Sequence, residues 1–288
     1  MRIVDLTLAH LRRTGHAIGC EEAARWRDCA RAVARPVGIS DGDTPHMAVC
    51  YDQAARFNPE ILFHTGSKLP LRLMGLDDAL LLNNYDDLFS RLRKTGLPLE
   101  PAFGNSLDCA TALGVTWLLQ GGECLCCSFT GTGNLAALEE VLMALHLSGA
   151  AHFAGLSLLP QLSALFRQLS GGLTIAGTRP VIGHLLFTVE SGIHVDGLNK
   201  DPTLYEPFPP ELVGARRRVV LGAHSGCASV RLCCERLNLS CDAVLAERLL
   251  PAIRALSRKN GRSLRGEEFL AVYSAVRREM DCAPAVAC

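Results

Sequence analysis

The chain reads as an α/β protein: a partial or shortened TIM-type (β/α) barrel, then a small α+β linker subdomain and C-terminal helices. Three observations predict this. Short β-prone runs alternate with helix-prone ones through the first half, the pattern of a parallel sheet with crossover helices. The alternation stops near residue 150. Beyond it, long helical stretches are separated by glycine- and proline-rich segments. The expected division is therefore 1–150 for the barrel-like part and 151–288 for the linker and helical part.

In chain order, Ile3–Leu8 alternates apolar and polar residues and reads as the first strand. Glu21–Ala34 has helical composition and ends before Pro36. Residues 37–59 are turn-rich, with a short strand at Met47–Cys50. Ile61–Phe63, Leu71–Met74, Leu97–Phe103 and Cys124–Phe129 are further strands. Asp86–Lys94, Ala110–Leu119 and Leu135–Leu147 are the helices that accompany them. A complete eight-stranded barrel takes ~250 residues and each βαβ unit ~30. The first part therefore has room for five or six units, not eight.

In the second part, Leu156–Leu169 carries apolar residues at helical spacing and ends at Gly171-Gly172. Ala176–Pro180 leads into Val181–Phe187, and four prolines keep 199–212 extended. Val219–Gly222 is a short strand. Helices follow at about 226–237, 242–258 and 265–279, the last opened by Ser263 with Glu267. The apolar stripes of 156–169 and 242–258 exceed what a partial barrel covers, so a dimer is expected.

Composition narrows the function classes. The 288 residues are 49% apolar, and 29 basic residues balance 29 acidic ones. Zero net charge gives no reason to expect nucleic acid or an anionic membrane as partner. The longest apolar stretches, Ala110–Leu119 and Ile182–Phe187, fall short of the ~18 residues of a membrane span. Met1–Asp5 enters a strand at once, without the apolar core of a signal peptide. A cytoplasmic protein is expected. The 13 cysteines are scattered, and Cys124-x-Cys126-Cys127 and Cys233-Cys234 read as buried structural thiols rather than metal knuckles.

One segment is far more specific than the rest. Gly183–Lys200 reads Gly-His-Leu-Leu-Phe-Thr-Val-Glu-Ser-Gly-Ile-His-Val-Asp-Gly-Leu-Asn-Lys, and Tyr205-Glu-Pro-Phe208, Pro210–Gly214 and Val220-Leu-Gly-Ala-His-Ser-Gly226 follow. This closely resembles the linker subdomain of the homocitrate and isopropylmalate synthase family, and the nitrogen-fixation homocitrate synthases most closely. Gly133-Asn-Leu-Ala-Ala-Leu-Glu-Glu140 resembles the family's helix start at the end of its barrel. Fainter likeness runs through Asp5–Leu8 and Leu99–Ala112.

The resemblance implies an acyltransferase that condenses acetyl-CoA with a 2-oxo acid, 2-oxoglutarate giving homocitrate for nitrogenase cofactor biosynthesis. Homocitrate is expected over isopropylmalate because ~60 residues follow Gly226, too few for an appended domain of ordinary size. The family binds its oxo acid on a divalent metal, Mg or Mn, and places a catalytic pair on the linker, reaching over the partner subunit's barrel. His194 and Tyr205 match that pair. The metal positions depart: the aspartate falls on His10, the His-x-His pair on Ala102 and Gly104, and only Asn134 is unchanged. Ala9 takes the place of the substrate-binding arginine, and Phe129-Thr-Gly131 replaces Gly-Glu-Arg. His10 and Asn134 are the remaining metal candidates, one nitrogen and one oxygen, too few to hold a hard divalent ion well. The metal site is expected to be weakened or lost. The rival expectation is a catalytically impaired paralogue that pairs with an intact synthase. His224 is expected to fix local structure, and His16, His46, His64, His146, His152 and His184 carry no functional case.

Overall fold

The computed structural model describes residues 1–50, 69–81 and 85–282, which fall into two compact units, Met1–Leu186 and Phe187–Cys288. The expected strand at Ile61–Phe63, like His64, lies outside the described residues.

The first unit is a mixed α/β body built on parallel strands. Its strands are β1 (Arg2–Asp5), β2 (Gly38–Asp41), β3 (Met47–Cys50), β4 (Leu71–Met74), β5 (Leu99–Pro101) and β6 (Cys124–Cys127). One sheet has the order β2-β1-β6, with Val4 opposite Ser40 and Cys126. The other has the order β3-β4-β5, with Leu73 opposite Val49 and Pro101. All four pairings are parallel. β6 is buried at every position, as a strand covered on both faces must be. Its thiols pack as small apolar groups, and burial pushes Cys124 up to about 11 and Cys126 higher still.

The two sheets meet at β5 and β6. The Cys126 thiol donates to the Glu100 carbonyl at 3.6 Å. The Glu100 carboxylate, fully buried, accepts from Arg2 at 2.6 Å and from Arg72 at 2.8 and 3.2 Å. Arg72 also donates to the Gly42 carbonyl at 3.2 Å and lies 3.2 Å from His46 Nε2. Gly42 and His46 bound the five residues between Asp41, which ends β2, and Met47, which opens β3. Parallel neighbours need a crossover of about a dozen residues. β2 and β3 are therefore outer strands of their sheets, tied together through the middle strand of one of them.

Helices α1 (Thr7–Arg13), α2 (Cys20–Ala34), α3 (Tyr85–Lys94), α4 (Ala110–Leu119), α5 (Leu138–Leu147) and α6 (Leu159–Leu169) complete the unit. The first expected strand is shorter than its alternation suggests, because Thr7 opens a helix. The buried Asp5 carboxylate accepts from the Thr7 N–H at 2.9 Å, the Thr7 hydroxyl at 2.5 Å and the Trp26 indole at 2.7 Å, turning the chain there. The helix expected from Leu135 starts only at Leu138. Sequence texture changes at residue 150, whereas the compact units part after Leu186. α6 belongs to the first unit, since Phe166 stacks 6.4 Å from Trp26 and 5.4 Å from Phe129.

In the second unit a parallel pair, β7 (Thr188–Val189) and β8 (Arg218–Val219), is followed and interleaved by α7 (Gly192–Lys200), α8 (Cys227–Arg236), α9 (Ala243–Asn260) and α10 (Gly266–Cys282). The segment 199–212 is not continuously extended: single helical turns sit at Pro202–Leu204 and Pro210–Val213, each with proline at the start, where its missing N–H costs nothing. Val230, Leu245, Leu249, Ile253 and Phe269 form the core. The Asp242 side chain caps α9 by accepting from Leu245 N at 2.8 Å.

Two contacts join the start of α7 to the start of α8. Glu190 accepts from the His224 N–H and the Ser263 hydroxyl, both at 2.8 Å, and its carbonyl accepts from Ser225 at 3.3 Å and Ser229 at 3.2 Å. Next to it, Gly192 and Gly226 touch backbone to backbone: a Cβ on Gly192 would lie 2.8 Å from Gly226 Cα. Gly192→Ala therefore cannot be relieved by a rotamer change and is expected to destabilise this unit by about 1–3 kcal/mol. Gly266→Ala, where a Cβ meets nothing within 4 Å, is the control and leaves stability unchanged within about 0.5 kcal/mol. Urea unfolding followed by circular dichroism checks both.

Candidate functional site

In parallel α/β folds, ligands bind where the strands end, since there the loops and helix starts converge. At the ends of β1, β5 and β6 the first unit brings together His10, Gly104, Asn105, Gly133 and Asn134. The His10 ring lies over Gly133, so closely that a Cβ on Gly133 would fall 2.6 Å from Nδ1. The Asn105 N–H donates to the Asn134 carbonyl at 3.0 Å, and Gly104 bridges Leu135 in antiparallel fashion. Thus His10, Gly104 and Asn134 lie together at one end of the unit.

Their chemistry is not that of a divalent-metal site. Ala102 is 2% exposed and packs inward with Val4, Cys126 and Leu135. The space beside Gly104 is taken by the Asp77 carboxyl group, 1.8 Å from where a Cβ would stand, held there by a 2.8 Å hydrogen bond from Ser106. Arg13 points its guanidinium at His10 Nδ1, 3.4 Å away. A guanidinium only donates, so Nδ1 accepts and the ring proton sits on Nε2. Burial, then Arg13 and His16, lower the His10 pKa and keep the ring neutral. His10 is thus arranged as a neutral donor. Among the described residues no group of three or more His, Cys, Asp or Glu side chains could hold a metal ion.

The loop before Asn134 is under strain. Thr130, Gly131, Gly133 and Asn134 all have left-handed φ, from 58° to 78°, and a β-branched residue there is a true outlier. Two carboxylates and one cation hold it. The Thr130 N–H donates to the buried Glu139 at 2.9 Å, and Arg179 lies 3.3 Å from Glu139 and 3.1 Å from Glu140. Neither Glu139 nor Asp77 stands out in the sequence. Glu139 lies in a string that resembles a helix start, and nothing marks its burial.

The second unit places His194 and Tyr205 in contact, with ring centroids 5.0 Å apart and ring planes at 64°. His194 is on α7, and Tyr205 follows the turn at Pro202–Leu204. The Tyr205 ring lies against Gly197, where a Cβ would come within 2.3 Å of it. Both rings are open to solvent, Tyr205 at 46% exposure, between exposed Ile193 and Leu204. The His224 backbone N–H donates to Glu190, and its side chain is exposed.

An open cleft of about 450 Å³ lies at the other end of the first unit's strands, lined by Arg2, Arg93, Trp117, Glu123 and Cys124 among others. None of His10, Ala102, Gly104 and Asn134 lines it.

Residues 181–261 match the family model described as homocitrate synthase post-HMGL domain-like. The chain is similar to the homocitrate synthase omega subunit of Clostridium pasteurianum, 32% identical over 170 residues, covering 59% of this chain and 48% of that protein. It is similar to homocitrate synthase AksA of Methanothermobacter thermautotrophicus, 30% identical over 181 residues, covering 62% and 46%. A protein of Methanosphaerula palustris described as a citramalate synthase is 42% identical over 137 residues, covering 46% and 27%. The chain thus spans about half the length, or less, of the curated relatives it matches. The family model covers all of Gly183–Gly226, so the resemblance carried by those signatures holds.

The loop clasp has a measurable pH signature. Burial pushes Glu139 up to about 7, against the hydrogen bond from Thr130 and the charge of Arg179. A carboxyl group with a raised folded-state pKa binds its proton more tightly in the folded state. Its stability contribution is present at about pH 4.5 and lost as pH rises through about 7, a swing of roughly 3 kcal/mol. Glu139→Gln keeps the acceptor for Thr130 and removes the titration. The urea midpoint of the variant should change between pH 5 and pH 8 by less than half as much as that of the parent chain. Asp5, also raised by burial, supplies a residual slope of the same sign.

Proposed function

We propose, from this chain's kinship with the homocitrate synthase family, that it takes part in condensing acetyl-CoA with a 2-oxo acid, 2-oxoglutarate giving homocitrate. It does so through His194 and Tyr205, as a subunit beside a second synthase chain, and not through a metal site of its own. The observation that carries this reading is the contrast between the two units. The linker signatures are intact and hold His194 and Tyr205 in contact. At the strand ends of the first unit, Ala102 points into a packed interior and Asp77 fills the space beside Gly104. The chain's similarity to a protein named as a subunit of homocitrate synthase agrees with a shared assembly.

The first unit is a shortened TIM-type barrel in this reading. Among the described residues, six strands run β2-β1-β6 and β5-β4-β3, with β6 beside β5, and a five-residue link joins β2 to β3.

In the reaction, the methyl carbon of acetyl-CoA loses a proton, the enolate attacks the keto carbon of the oxo acid, and water then cleaves the thioester. A divalent ion bound to the oxo acid would polarise its keto group. The residues of this chain do not fit that ion, so the oxo acid is bound by the second chain. His194 and Tyr205 supply what the linker contributes: an imidazole that accepts or returns a proton and a phenol that donates a hydrogen bond at the reacting carbonyl. The assignment to nitrogenase cofactor biosynthesis follows the likeness of residues 183–226 to the nitrogen-fixation enzymes.

Release of free CoA thiol from acetyl-CoA and 2-oxoglutarate, with magnesium or manganese, is the assay. The purified chain alone should turn over at least about a thousandfold below ordinary enzyme rates of ~10 s⁻¹. Mixed with a full-length homocitrate synthase whose own linker histidine and tyrosine are replaced, it should restore thiol release, and its His194→Ala variant should not. Ordinary rates from the chain alone, or no restoration by the parent chain, would overturn the reading.

A further inference from the structure

The turn that leaves α5 is closed by a histidine. His146 stands in the last turn of that helix, and the chain folds back over it before setting off toward α6. Three of the last carbonyls of α5 are met there: Ala144 accepts from the Ser148 N–H at 3.0 Å, Leu145 from Ala151 at 3.2 Å and His146 from Gly149 at 3.2 Å. The Phe153 N–H goes instead to the half-buried His146 ring, 3.1 Å from Nδ1. An N–H only donates, so Nδ1 accepts and the ring proton sits on Nε2. Phe153 is 1% exposed, so its N–H has no water to turn to. The exposed His152 ring lies against the His146 ring, with centroids 4.9 Å apart and planes at 33°. Two residues after Phe153, Gly155 meets α2 so closely that a Cβ would fall 2.0 Å from the Ala32 carbonyl oxygen. The far end of the turn is anchored there, and the near end is held by His146.

We propose that His146 is a pH-operated latch: on taking up a proton at Nδ1 it releases the Phe153 N–H and opens the turn 148–153, while the body of α5 stays in place. The proton lands on the accepting atom itself, so the hydrogen bond is lost and two donors are left face to face. It also sets a cation against the His152 ring. His152 is the titratable neighbour that acts on His146. Helix α4, which packs along α5, has no ionisable side chain, and the turn has none besides His152. Glu139 and Glu140 stand at the opposite end of α5. Around Ala32 on α2, Asp28 pairs with Arg31, and neither these nor Arg35 bonds to either ring. A helix C-terminus favours an imidazolium, but the carbonyls that would attract it are already engaged. Burial, then His152, lower the His146 pKa. A lowered folded-state value means that the latch adds stability above the unfolded value of ~6.5 and loses it as pH falls through the folded one. The other end of α5 answers in the opposite sense, since the proton on Glu139 is favoured by folding. Acid thus loosens the exit of the helix and tightens its entrance. This inference is independent of the proposed condensation.

Hydrogen exchange of the full chain, resolved amide by amide in NMR spectra and corrected for intrinsic exchange rates, is followed from pH 7.5 to pH 5. Protection of the Ala151 and Phe153 amides should fall by about tenfold or more in acid, as a donor deprived of its acceptor requires. The fall should follow the titration of the His146 ring protons, and Leu142 in the middle of α5 should keep its protection. In His146→Asn the side-chain oxygen replaces Nδ1 as acceptor and does not titrate, so the two amides should lose their pH dependence, whatever their protection. Unchanged protection in the parent chain, an equal fall in His146→Asn, or an equal loss at Leu142 would overturn the proposal.

Discussion

A carboxylate shut away from water must be met by cations and donors, and in the first unit that carboxylate is Glu100. It reaches Arg2 in one sheet and Arg72 in the other, and Arg72 carries the connection on to the link between β2 and β3. Among the described residues each sheet has three strands, and the two sheets meet at β5 and β6. The pairing is demanding rather than generous. Removing one member of a buried ion pair typically costs about 3–5 kcal/mol, because the other is left uncompensated. The geometry of the strand ends, and with it the placement of His10 and Asn134, is built on that junction.

The second unit has a different organising contact. Its recognition signatures include Gly192, Gly226, Glu190 and His224-Ser225, residues that suggest chemistry when read as a string. Most of them prove to be scaffolding. Glu190 gathers the His224 N–H, Ser225, Ser229 and Ser263, while Gly192 and Gly226 let two helix starts meet at backbone distance. His194 and Tyr205, by contrast, face solvent in contact with each other. A signature can therefore persist for the sake of folding whether or not the chemistry persists with it.

Much of the fold was legible because strand and helix periods differ. Met47–Cys50, Leu71–Met74 and Ala110–Leu119 stand where hydrophobic spacing puts them. Ends were less legible, because side-chain hydrogen bonds set them. Asp5 converts the tail of an alternating run into a helix start, and no period reveals that. Helix α7 was missed because Gly192 and Gly197 oppose helix formation; each is kept for close approach, to Gly226 and to the Tyr205 ring. At the candidate site, the nearness of His194 to Tyr205 was legible only through resemblance. The parts that decide the state of the first unit's strand ends, Asp77 beside Gly104 and Glu139 beneath the strained loop, were not legible. Both depend on which carboxylate is buried, and burial leaves no mark on sequence.

The filling of the space beside Gly104 makes residues 77, 104 and 106 one coupled set. A side chain at residue 104 would put its first carbon 1.8 Å from an Asp77 carboxyl oxygen. Asp77 must therefore swing aside before anything larger than hydrogen enters there, and it gives up its hydrogen bond from Ser106 as it does. The cost of a change at residue 104 is thus set by that displaced pair, and the effects of changes at 77 and 104 do not add.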